Sequence, residues 1–200
     1  GLWPAMLVMA AVLAIQALLF ADGGVTALGA NMLTMAVVAP LVGWAVHGAA
    51  VKLRDSRTMK IGASFAAAWA SCVAAAIVAA LMLWASGRAP LAPALGAMGF
   101  WHALIGIGEG AITAGLVGYL LAVRPDLLAR ERRAPDPATT RRVALGLGIL
   151  ALIAAGISFL ASANPDGLEF VYESVGAAFS EVSLISGAMP DYAVPGIANE

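Results

Sequence analysis

The chain has 200 residues, 62% of them hydrophobic and 12% charged, with a formal net charge of −1. A soluble domain carries about 25% charged residues, so this composition, with a mean hydropathy of +0.90, excludes an ordinary soluble domain and points to an integral membrane protein. No basic stripe suggests nucleic acid, and a single cysteine, Cys72, excludes an intramolecular disulfide and reads as a packed thiol.

Gly1-Leu-Trp-Pro enters an apolar run almost at once, with no initiator methionine, basic n-region or small-residue cleavage site. The natural N-terminus is therefore expected upstream. About 20 apolar residues cross the hydrocarbon as a helix, and five runs qualify: 4–20, 31–51, 61–86, 95–123 and 143–163. The fourth is long and is expected to tilt or to extend beyond the bilayer. The expected fold is an all-α polytopic membrane helix bundle of about five transmembrane helices.

Between the first two runs lies a polar, glycine-rich stretch, 16–31. Backbone that is not helical survives near membrane depth only where protein buries it or it lines a cavity, so this stretch is a candidate wall for a substrate site. Asp22, Gly23 and Gly24 can build a tight turn, Thr26 and Asn31 offer polar atoms, and Asn31 also suits the N-cap of the second span. Gln16 reads as an interhelical hydrogen-bonding group.

The connections set the topology. Lys52, Arg54, Arg57 and Lys60 follow the second span, and Arg124, Arg130, Arg132, Arg133, Arg141 and Arg142 follow the fourth. The positive-inside rule makes both segments cytoplasmic, which puts Gly1 inside, 22–30 outside and the tail after Ala163 extracytoplasmic. That tail holds Asp166, Glu169, Glu173, Glu181, Asp191 and Glu200, with no Lys or Arg. Trp3, Trp84 and Trp101 fall near span ends, as interfacial anchors do. The organisation expected is a membrane domain over 1–128, a polar, proline-bearing cytoplasmic linker over 129–142, and a last span with its external tail over 143–200.

In the fourth span His102 and Glu109 stand seven residues apart, on one helix face, and Thr113 continues the stripe. A carboxylate near mid-span is costly, so Glu109 is expected to be protonated, paired or facing a polar cavity. Either it lies on a substrate path or it bonds across to a neighbouring helix. His102 reads as a supporting or gating group or as an interfacial histidine. The other histidine, His47, lies at the opposite end of its own span and cannot easily share a metal with His102. Gly106 and Gly110, and the alanines Ala66, Ala70 and Ala74, give two helices small faces suited to close approach, within the chain or against another subunit. In the tail, 164–169 suits a type I turn. Residues 168–182 suit an amphipathic helix, and 190–197 an extended segment that covers the membrane domain or meets a partner. The sequence contains no Walker A loop, zinc-binding His-Glu-x-x-His helix, cysteine cluster or serine elbow, so it is not read as an enzyme.

The phrases Ile15-Gln-Ala-Leu-Leu-Phe-Ala-Asp-Gly-Gly24, Leu28-Gly-Ala-Asn31 and His102-Ala-Leu-Ile-Gly-Ile-Gly-Glu109 closely resemble the CbiM/NikM family over roughly residues 2–128. These are substrate-binding membrane subunits of energy-coupling-factor transporters for cobalt and nickel, found in the bacterial or archaeal plasma membrane. Asn-Pro-Asp-Gly-Leu-Glu and Pro-Asp-Tyr-Ala-Val-Pro-Gly-Ile in the tail look like the small auxiliary module of these systems, fused to the C-terminus. The resemblance implies capture of Co(II) or Ni(II) as transported substrate, with no permanently bound cofactor. It also implies a separate transmembrane coupling subunit and cytoplasmic ATPase subunits as partners, within the lipid bilayer. In the family the ion is gripped by the N-terminal amine and by histidines ahead of the first span seen here. The ligands are thus expected upstream of Gly1, with Asp22, Thr26, Asn31 and His102 as supports around them and Glu109 on the substrate path. Nitrogen ligation suits both metals. The alternative is a non-transporting accessory subunit that stabilises such a complex.

Overall fold

The structure is a computed structural model that describes residues 1–22 and 24–125, together with Arg141 and Leu145. Helix α1 (Leu2–Ile15) runs into a π-helical stretch, Gln16–Phe20. Helix α2 (Gly24–Asn31) runs through a second such stretch, Met32–Val38, into α3 (Ala39–Leu53). Two long helices follow, α4 (Arg57–Ala85) and α5 (Leu91–Val123). These form four continuous apolar rods, Leu2–Phe20, Gly24–Leu53, Arg57–Ala85 and Leu91–Val123, each long enough to cross a membrane. No strand occurs among the described residues. The fold is the expected all-α polytopic bundle. The fifth run at 143–163, the turn at 164–169, the helix at 168–182 and the segment at 190–197 lie outside the described residues.

Local chemistry explains where the rods begin and end. Ser56 caps α4, its Oγ accepting from the Met59 backbone N–H at 3.2 Å, so the helix starts at Arg57, ahead of the expected 61. Pro90 precedes α5, where a residue without an N–H leaves no helix bond unmade. At 33 residues α5 is about 50 Å long, well beyond a hydrocarbon core of about 30 Å. Arg57 Nη2 donates to the Gly118 carbonyl at 3.5 Å. That contact lays the start of α4 beside the end of α5, so the basic residues after α3 and Arg124 after α5 gather at one end of the bundle.

The second rod corrects the sequence reading. It begins at Gly24, seven residues before the expected start, and Asn31 is not an N-cap. Its backbone is helical (φ −62°, ψ −41°) and its side chain makes no capping bond. The turn that starts this helix lies upstream, where Gly24 takes φ +58° and its N–H donates to the Ala21 carbonyl at 2.9 Å. The N–H groups near Asn31 are thus already satisfied by the preceding turn. The stretch 16–31 is correspondingly far more helical than its glycines suggest, and among its described residues the backbone leaves the helix at Ala21 and Asp22.

Packing is inverted relative to a soluble protein. The buried residues are small, including Ala36, Ala63, Ala67, Ala76, Ala80 and Ala94, while Leu7, Leu41, Ile112, Leu116 and Tyr119 are exposed. In lipid the gain comes from close helix approach rather than from burying bulk. Helix α4 is central: α3 packs on one side and α5 on the other. The alanines that α4 buries are Ala63, Ala67, Ala76 and Ala80, while Ala66 of the expected 66–70–74 stripe is exposed. The stripe is displaced because α4 must serve two neighbours at once. Trp3, Trp84 and Trp101 are exposed, as anchors require.

The Gly106–Gly110 pair is used inside the chain, against α4. A Cβ at Gly110 would lie 2.9 Å from a Phe65 ring carbon and 3.0 Å from the Phe65 carbonyl oxygen, and one at Gly106 would lie 3.1 Å from the Trp69 ring. Trp69 Nε1 also donates to the Ala103 carbonyl at 3.0 Å, tying the two backbones together. Gly110→Val is therefore expected to destabilise the bundle by about 1–3 kcal/mol, the usual cost of overpacking, and to lower the thermal midpoint in detergent. Gly108→Ala, which adds a methyl group to open space, is expected to leave it unchanged.

Candidate functional site

The polar turn between the first two rods is held by the end of the first. The Gln16 carbonyl accepts from the N–H of Ala21 and from that of Asp22 at 3.2 Å, while Gln16 Nε2 donates to Asp22 Oδ2 at 3.5 Å. One glutamine thus closes the turn with both backbone and side chain. Ala21 takes a left-handed conformation, φ 57° and ψ 14°, which costs a non-glycine residue roughly 1–2 kcal/mol. Asp22 and Thr26 are exposed and Asn31 is half-buried, so the turn presents an open carboxylate and hydroxyl beside a more enclosed amide.

The π-helical stretch Met32–Val38 underlies this turn and packs on both α1 and α4. Its cause lies in the next helix. Pro40 has no N–H and its ring crowds the carbonyl four residues back, and the helix ahead of it widens, with the Ala39 N–H reaching the Thr34 carbonyl five residues back. Buried Thr34 (5% exposed) donates its hydroxyl to the Ala30 carbonyl at 3.0 Å, supplying a bond where the regular ladder is disturbed. π-helical segments are uncommon and concentrate at functional sites. The sequence reading missed this one, for which Thr34 and Pro40 were the available signal.

The second group lies on α5. The His102 ring is half-buried, with Nδ1 2.9 Å from the Met98 carbonyl oxygen. A carbonyl only accepts, so Nδ1 is the donor in this contact. Glu109 is exposed near the middle of α5, close enough to the Cys72 thiol for its charge to act on it. Cys72 Sγ in turn lies 3.5 Å from the His102 carbonyl oxygen. Cys72 is therefore a neighbour of both residues, a role that the sequence reading, which took it as a packed thiol, did not assign. The spacing of Phe65, Trp69 and Cys72 on one face of α4 would have exposed it.

The two groups are separate. Asp22, Thr26 and Asn31 belong to the α1–α2 end of the row of helices, whereas α5 packs on α4 and makes no substantial contact with any other described element. His47 on α3 and His102 on α5 are likewise on helices kept apart by α4. Among the described residues no three His, Cys, Asp or Glu side chains converge as metal ligands would.

Residues 1–127, all four rods, match the family described as the cobalt uptake substrate-specific transmembrane region, CbiM. The chain belongs to the CbiM family. Residues 141–200 match the PDGLE domain. The CbiM-family chain is 37% identical over 217 residues to a fused nickel transport protein of Rhodobacter capsulatus, covering 98% of this chain and 61% of that one. It is 39% identical over 201 residues to a protein of Archaeoglobus fulgidus provisionally named a fused nickel transport protein, covering 98% and 64%. It is also 33% identical over 133 residues to a cobalt transport protein of Sorangium cellulosum, covering 65% and 59%. The chain thus spans about three-fifths of the length of these curated relatives. No solved structure matches it. Membership of this family, together with the four apolar rods, makes the chain a membrane-embedded component of a transport family.

The strained turn is directly testable. Ala21→Gly relieves the left-handed conformation and is expected to stabilise the chain by about 1 kcal/mol. Ala21→Val, whose branched side chain tolerates positive φ poorly, is expected to destabilise it. Unfolding midpoints of the two variants in one detergent should move in opposite directions.

Proposed function

We propose that this chain is the substrate-specific part of a membrane importer for divalent nickel or cobalt, working with a transmembrane coupling subunit and cytoplasmic ATPase subunits. The observation that carries the proposal is the family match across all four rods, joined to relatives named for nickel and cobalt transport at 33–39% identity. The chain performs no catalysis of its own. The ion is the cargo, taken up at the outer face and passed inward.

In this reading 1–128 is the membrane domain, 129–142 a cytoplasmic linker, and 143–200 a further span with an extracytoplasmic tail. The basic residues gathered where α4 starts and α5 ends support that orientation through the positive-inside rule. The Gln16–Asp22 turn then faces outward. Direct ligands are supplied by a segment ahead of the first rod, as the family resemblance implies, and Asp22, Thr26 and Asn31 form the polar wall that orients them. His102 and Glu109 act separately, from α5, along the inward path or at the contact with the coupling subunit.

Uptake of radioactive nickel and cobalt by the full-length protein, reconstituted with its coupling and ATPase subunits, tests this assignment. Asp22→Ala and Asn31→Ala are each expected to lower apparent metal affinity about 10–100-fold, the usual effect of losing an outer support of a metal site, while the subunits still co-purify. Loss of co-purification with metal binding intact would instead make the chain an accessory subunit. Unchanged uptake in both variants would remove the turn from the site.

A further inference from the structure

The described cations are concentrated at one end of the bundle. Lys52 lies in the last turn of α3, Arg54 follows that helix, Arg57 and Lys60 lie in the first turn of α4, and Arg124 follows α5. Because α3 and α5 pack on either side of α4, these residues form a strip across three neighbouring helices. The described carboxylate at this end is Asp55, which Lys60 holds at 2.8 Å. Asp22 and Glu109, the other described acids, lie at the turn between the first two rods and near the middle of α5. Lys52 and Arg54 are exposed, and Arg57 donates to a neutral acceptor, the Gly118 carbonyl. The strip thus carries a positive excess that the described residues do not offset.

Exposed apolar residues border this strip on α3 and α5. Leu53, between Lys52 and Arg54, is 84% exposed, and Val123, just before Arg124, is 54% exposed. Tyr119, 61% exposed, follows the glycine that Arg57 touches. Gly118 lies about 9 Å of helix rise before Arg124, at about 1.5 Å per residue. The cations therefore occupy a band little deeper than a headgroup layer, which is about 5–8 Å on each side of a bilayer. Lys and Arg stems lie along apolar surface and lift their charge to that layer, and tyrosine favours the same level. A fitting partner is anionic beside the cations and apolar beside Leu53, Tyr119 and Val123. A phospholipid of net negative charge meets both demands, whereas an acidic soluble surface meets only the first.

We propose that the strip formed by Lys52, Arg54, Arg57, Lys60 and Arg124 binds the headgroups of anionic phospholipids, whose acyl chains lie along Leu53, Tyr119 and Val123. The recognition is electrostatic: clustered cations at a membrane surface attract net negative headgroups. It requires only that the rods cross a membrane and is independent of which ion is carried.

Native mass spectrometry of the full-length protein in a neutral detergent, titrated with phosphatidylglycerol or phosphatidylcholine, tests it. Phosphatidylglycerol is expected to bind about tenfold tighter or better, and inorganic phosphate is expected not to displace it. Each cation near an anionic surface contributes about fivefold, so Lys52→Gln with Arg54→Gln should weaken phosphatidylglycerol binding about 25-fold. The charge-keeping pair Lys52→Arg with Arg54→Lys is expected to retain it, as is Arg88→Gln at the opposite end of α4. Equal binding of the two lipids would overturn the proposal. So would equal losses in the Gln pair and the charge-keeping pair, which would mark a disturbed fold rather than a lost charge. Displacement by inorganic phosphate would assign the strip to free phosphate. Unchanged lipid binding by the Gln pair, with loss of co-purifying subunits, would assign it to a protein surface. Either result overturns the lipid assignment.

Discussion

In a bilayer a backbone N–H or C=O has no water to turn to, and among the described residues the departures from the α-helix along the first two rods are closed by the chain itself. Where Pro40 forbids the regular bond, the helix widens and buried Thr34 lends its hydroxyl to the Ala30 carbonyl. Where the first rod ends, the Gln16 carbonyl takes two N–H groups. The non-helical turn between the first two rods is thereby held to a few residues beside Ala21 and Asp22. A candidate metal-site wall is thus built mainly from helix ends rather than from a loose loop.

The second organising fact is the position of α4. It meets α3 and α5 on different sides, using alanines throughout and glycines contributed by α5. The polar groups of the chain are consequently divided: one set at the turn between the first two rods, another along α5. A single site joining both would need elements beyond those described. The chain spans about three-fifths of the relatives that it resembles, so such elements have a place in the longer proteins of this family.

Much of this was legible in the sequence. The four described spans follow from apolar length alone, and the close α4–α5 approach from the Gly106–Gly110 spacing. What the sequence concealed was conformational rather than compositional. Asn31 looked like a cap because it precedes an apolar run, yet Gly24 had already started the helix. Ala66, Ala70 and Ala74 looked like a contact stripe, but a helix with two neighbours distributes its small residues between them. Periodicity cannot announce a π-helical stretch, since it depends on a bond that one proline fails to make. Of the candidate site, the residue types were evident but not their separation by α4, which only packing decides.

The size gradient of the bundle, alanine and glycine within and leucine, isoleucine and tryptophan without, constrains how the sequence can drift. Large outward residues face a fluid that accepts almost any apolar shape, so exchanges among Leu, Ile, Val and Phe there should be nearly neutral. Inward positions such as Ala80, fully buried, or Gly110 have no room for even a modest enlargement. Lineages of this chain should therefore diverge rapidly on the outside of the bundle, while the interior is confined to the smallest residues.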